Sequence, residues 1–153
     1  MSSIAEQISA KWKQRLAAIT TANGYASDIG TRIFEGWLST ALVDDKQTEY
    51  PFLLIQPLTD KRRDKSAGGR VRLALSHQIL AVEKVGADVV PKLMQHLQDM
   101  RLALTDRSNT VQLDGLSLHT EVGDADYQIP EDGYAVAWVS LTVSADYDLT
   151  ITT

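Results

Sequence analysis

Apolar residues recur every three to four positions at the start of the chain, where Ile4, Ile8, Trp12, Leu16 and Ile19 form one stripe. That period predicts an amphipathic helix. Ser3 and Glu6 stand at capping-box spacing before the stripe, and Asn23-Gly24 supplies a left-handed stop after it. From Ile29 the period falls to two, and residues 31–37 read as a strand. Residues 38–50 read as a loop, after which Pro51 opens Phe52-Leu53-Leu54-Ile55-Gln56, apolar on both faces and so central in a sheet.

Residues 58–69 are polar and end in Gly68-Gly69, the tip of a long hairpin. Its return arm alternates cleanly, with Val71, Leu73, Leu75, His77 and Ile79 on one face; an extension as far as Val85 is left open. A second helix is expected from Asp88, which can cap it, with Pro91 tolerated in the first turn. Val90, Leu93, Leu97, Met100 and Leu104 make its stripe, and residues 106–109 end it. Asp114-Gly115 signals a turn, and Leu116, Leu118, Thr120 and Val122 then alternate. Residues 123–133 read as an acidic loop, and residues 134–147 as a long closing strand. Ala135, Ala137, Val139, Leu141 and Val143 lie on one face of that strand, with Tyr134, Val136 and Trp138 opposite. The order α, β, β, β, α, β, β shows no repeat or linker. It predicts one α+β domain over residues 1–153: a mainly antiparallel (mixed) sheet, two helices packed on one face, and a long β-hairpin.

Charge changes this picture more than composition does. The 153 residues carry a net charge of −5 and no cysteine, which excludes a disulfide framework and thiolate chemistry. No apolar run approaches a membrane span and no secretory leader is visible, so a soluble protein of the cytoplasm, without membrane partners, is expected. Residues 60–72 carry six basic and two acidic groups, whereas residues 106–153 carry one basic and nine acidic groups. The basic segment holds Lys61, Arg62, Arg63, Lys65, Arg70 and Arg72; the acidic third holds Glu121, Asp124, Asp126, Glu131 and Asp132. An acidic protein is a poor non-specific binder of nucleic acid. The basic segment nevertheless has two functional readings beside that of a solubilising tip: contact with a phosphate backbone, or docking on the acidic residues 121–132 of an identical neighbour. The second is favoured, because both signs occur in one chain and contacts between unlike patches can close into rings.

Enzyme signals are scarce. His77, His96 and His119 lack metal-ligand spacing, no serine sits in a nucleophile elbow, and Gly68-Gly69 precedes a strand and not a helix. Asp124, Asp126, Glu131 and Asp132 lack the register of a calcium loop, and no sugar cleft is signalled that would make them a glycosidase pair. No enzyme activity, catalytic residue, metal or cofactor is expected.

The succession of elements resembles the tail terminator (tail completion, minor tail) proteins of long-tailed bacteriophages, and through them neck proteins of similar size. The resemblance runs through the N-terminal helix, Asn23-Gly24-Tyr25 with Asp28-Ile29-Gly30, Tyr50-Pro51-Phe52-Leu53-Leu54-Ile55, the basic hairpin, the strand ending Ile79-Leu80-Ala81-Val82, the second helix and the closing strand through Val143. It is a pattern of elements over nearly the whole chain and contains no catalytic motif. It implies a structural virion protein of the tail, assembled in the host cytoplasm. Its copies would form a ring, commonly a homohexamer, on the head-proximal end of the tail tube, stopping tube polymerisation and offering the head-joining surface. The implied partners are further copies of the chain, the tail tube protein and a head–tail connector or neck protein, with DNA passing through the lumen without specific binding. The alternatives are a connector or stopper protein and, less favoured, a small nucleic-acid-binding module.

Overall fold

The computed structural model describes residues 3–36, 49–65, 69–105, 113–129 and 135–150, with the backbone alone at residues 63–65 and 114. Helix α1 spans Ile4–Ala17 and is closed at its start by the expected capping box: the Glu6 amide donates to Ser3 Oγ at 3.1 Å and the Ser3 amide to Glu6 Oε2 at 3.2 Å. Two orphan amides of the helix start are thereby satisfied. Two short 3₁₀ turns follow, Thr21–Asn23 and Ile29–Thr31, and Gly24 takes the left-handed conformation (φ 89°) between them. Strand β1 is only Ile33–Glu35, shorter than the period of residues 31–37 suggests. Thr31 belongs to the 3₁₀ turn, and Trp37 lies outside the described residues.

Strands β2 (Phe52–Lys65) and β3 (Arg70–Lys84) form the long hairpin, and helix α2 spans Val89–Leu104. A 3₁₀ turn at Leu113–Gly115 precedes β4 (His119–Gln128), and β5 covers Val136–Thr150. The sheet order is β1-β2-β3-β5-β4; β1 runs parallel to β2, and all other pairs are antiparallel. This is an α+β fold built on an open five-stranded mixed sheet.

Both helices cover one face. Ile8, Trp12 and Leu16 of α1 and Leu93, Leu97, Met100 and Leu104 of α2 pack with Leu53, Ile55, Ile79, Val139, Leu141 and Val143 in the main core. A smaller cluster of Phe52, Leu54, Leu80, Val82 and Val136, with Tyr50 and Trp138 against it, lies on the second face. The strict alternation of β3 and β5 follows from this: odd-numbered residues of β5 meet the helices and even-numbered ones do not.

Four expectations change. Of the polar stretch 58–69, residues 58–65 are strand and not tip, since β2 runs to Lys65; residues 66–68 lie outside the described residues, and β3 starts at Arg70. Residues 123–133 are not a loop as far as Gln128: β4 carries Asp124 and Asp126 as strand residues, and residues 130–133 lie outside the described set. Asp88 is the N-cap of α2, but its side chain makes no capping bond. Val90 is exposed, out of phase with the buried stripe of α2.

Candidate functional site: the two edges of the sheet

Among the described residues, only Leu53–Ile55 of β2 are covered on the outer side, by β1. From Pro57 to Lys65 no described strand lies beyond β2. This is where the chain carries Lys61 and Arg62, both exposed. At the opposite border β4 is the last strand, with Glu121, Asp124 and Asp126 exposed along it. Basic and acidic groups therefore sit at opposite edges of one sheet. Three inter-strand steps separate them, roughly 14 Å, beyond direct pairing within one chain. Among the described residues neither Lys61 nor Arg62 has an ion-pair partner.

The rest of the basic segment behaves differently. Arg72 meets Asp148 of the same chain, with Nε to Oδ1 at 3.0 Å and Nη2 to Oδ2 at 3.3 Å. The hydrogen bond from Arg72 holds the Asp148 carboxyl below the usual carboxylate range, and the charge of Arg70 adds to this. Arg70 and Arg72 lie on β3, inside the sheet, where β5 brings Asp148 beside them. They are thus tied to β5 of their own chain near the tip end of the hairpin, unlike Lys61 and Arg62. Arg63 and Lys65 continue β2 toward the tip, and Glu131 and Asp132 lie outside the described residues. Below the hairpin, Tyr147 Oη donates to Asp60 Oδ2 at 2.6 Å. Burial, then the bond to Asp60, pushes this phenol up to about 12.

Both edges carry surface features that the charge pattern does not reveal. Beside the β2 edge, where β1 stops, a groove of about 550 Å³ opens between α1 and the sheet. Ser9, Ala10 and Lys13 form one wall, Gly36 and Pro57 the other, and His77 the floor. His77 is buried, and its Nε2 is hydrogen-bonded to Ser9 Oγ at 2.6 Å. Burial lowers the affinity of its imidazole for a proton, and the Asp60 carboxylate opposes this in part. A serine and a neutral histidine at this distance form the beginning of a nucleophilic dyad. Asp60, the carboxylate nearest in effect, is engaged by Tyr147, and His77 Nδ1 has no partner among the described residues, so no orienting third group completes it.

Beside the β4 edge the outer side of α2 is apolar. Met94 and Leu102 are 55% and 52% exposed, and with Tyr127 of β4 they border a depression of about 540 Å³. Elsewhere, His96 Nε2 and Glu83 Oε2 form a buried pair at 2.9 Å, which joins α2 to β3 within the fold. No cluster of three metal-ligating side chains occurs among the described residues. None of the described helices is long and apolar enough to cross a membrane.

Comparison with known proteins does not extend this description: no family model matches the chain, and no curated protein matches it.

Proposed function

We propose that this protein is a structural virion component of the tail-terminator kind, whose copies join edge to edge into a ring at the head-proximal end of a phage tail tube. The observation that carries the reading is the separation of charge onto two borders of one open sheet, Lys61 and Arg62 on β2 against Glu121, Asp124 and Asp126 on β4. An exposed sheet edge is a template for another strand unless it is blunted or used. Here the two edges are oppositely charged, which favours head-to-tail addition and disfavours pairing of like edges. In such addition β4 of one copy meets β2 of the next in antiparallel sense, because β2 and β4 already run in opposite directions within the chain. Contacts between unlike patches close when the rotation permits, giving a ring. Six copies would carry a net charge six times −5, which disfavours adhesion of DNA to the lumen wall.

The ring would end tube growth and offer its far side to the head. Electron microscopy of particles made without the protein tests this: overlong tails support a terminator, whereas tailless, leaking heads indicate a connector or stopper. Arg62→Glu with Arg63→Glu separates assembly from nucleic-acid binding. On this reading the double variant loses self-assembly first. Loss of DNA binding with intact oligomers would instead establish a nucleic-acid-binding module.

A further inference from the structure

We propose that the groove between α1 and β2 is the socket for a second copy of this chain, and that Tyr127 with the apolar outer side of α2 is the plug. This rests on the ring reading above and specifies which atoms meet at its seam.

The argument starts from strand register. Position parity places Lys61 on the face of the sheet away from the helices, since it pairs with Ala74, the neighbour of the core residue Leu75. Glu121 and Asp126 stand on that same face, opposite Ser144 and Ser140. Asp124 lies in the irregularity between Val122 and Ala125 that interrupts the alternation of β4. Tyr127, opposite the core residue Val139, points to the helix side, as does Pro57 opposite His77.

Now let β4 of one copy lie antiparallel to the outer edge of β2 in the next, with Asp124 across from Lys61. Counting toward the base of the hairpin, Thr59 falls across from Asp126. Leu58 is skipped, because β2 has its own irregularity between Pro57 and Thr59. Pro57 then falls across from Tyr127. Counting the other way, with Gly123 taken up by the β4 irregularity, Arg62 falls across from Val122, both on the helix side. Thr59 with Asp126, Asp60 with Ala125, Arg62 with Val122 and Pro57 with Tyr127 then share a face, Lys61 lies across from Asp124, and the Tyr127 ring arrives where Pro57 and His77 line the groove. One register therefore satisfies the charges and fills the socket. Opposite charges directly across a seam favour it, and a shift by one residue would invert every face.

Among the described residues β1 (Ile33–Glu35) pairs with β2 only at Leu53–Ile55, which leaves the β2 edge beyond Pro57 to the neighbour's β4. A longer β1 would cover the β2 edge that β4 of the neighbour needs. Met94 and Leu102, exposed among the described residues, would then come against the neighbour's α1 near Ala10 and Lys13.

The absence of native cysteine makes a direct test possible. Ala10→Cys and Tyr127→Cys are prepared as separate single variants of the full chain, both at exposed positions. They are mixed at a concentration where sedimentation shows oligomers, oxidised, and run on a non-reducing gel. The expected result is a disulfide-linked dimer in the mixture, none with either variant alone, and a ladder of higher species when both changes are in one chain. Asp124→Lys should abolish the ladder, and adding Lys61→Asp should restore it. Oligomers that give no Ala10–Tyr127 cross-link would overturn the socket while leaving the ring reading intact. Cross-linking of either single variant with itself would overturn it too, since that shows a symmetric contact. Absence of any oligomer would overturn both.

Discussion

His77 shows how much a single residue's environment changes its chemistry. The strand period places it among apolar neighbours, where it is 1% exposed and its Nε2 meets Ser9 Oγ. Burial lowers its proton affinity in the folded chain, while an unfolded histidine keeps its ordinary value near 6.5. The unfolded chain then binds the proton more readily than the folded one below pH 6.5, so stability present above that value is lost as pH falls toward the depressed folded value. Urea unfolding between pH 8 and pH 5 should show a fall in stability that is smaller in His77→Gln. Equal pH dependence in the two chains would contradict this. The alternation Val71 to Ile79 already assigns His77 to the core face. Its partner is not legible in the same way, because Ser9 lies 68 residues away on α1. Contacts between distant elements leave no local period in a sequence. For the same reason Asp148 as partner of Arg72 escapes a reading of charge runs, which groups Arg72 with the basic segment and not with the strand that β5 places beside it.

Elements were legible where a face is buried by a regular apolar period and obscure where polar residues and an irregularity interrupt that period. Helix α1, the hairpin arms, α2 and β5 follow their apolar periods, because each lays one stripe or face on the core. Strand β4 follows its period only as far as Val122; beyond it Asp124 and Asp126 are exposed and Gly123 sits mid-strand, a composition that otherwise signals a loop. Val90 shows the reverse limit: an apolar residue near the helical period that the fold leaves outside. The turn between α1 and β1 has its own requirement. Gly30 donates its amide to the Ile19 carbonyl at 2.9 Å, and a Cβ there would overlap the backbone carbonyls of Leu16 and Ile19. Backbone cannot yield as a side-chain end can, so Gly30→Ala should cost about 1–3 kcal/mol. The measurement is the urea midpoint at constant slope, and an unchanged midpoint would show that α1 does not hold this turn so closely. Misplacing the turn would also shift α1 over the groove.

At the scale of the whole molecule, the helices cover one face of the sheet, and among the described residues its two outer borders carry opposite charge. The described helices cover the core, yet β2 beyond Pro57 and β4 along its length have no described strand outside them. Opposite charges on those borders are what the proposed ring would use to join one copy to the next. The charge segregation itself was readable from residues 60–72 and the acidic third, whereas its placement on two edges required the strand order. The groove was not readable at all, being assembled from α1, the end of β1, β2 and β3. The most direct test of the account is the solution mass of the chain by sedimentation across a wide concentration range. It predicts growth with concentration from 16.9 kDa to one closed species, six times that mass for a hexamer, and no larger polymer. A mass of 16.9 kDa at every concentration, with no assembly when tail tubes are added, would contradict it.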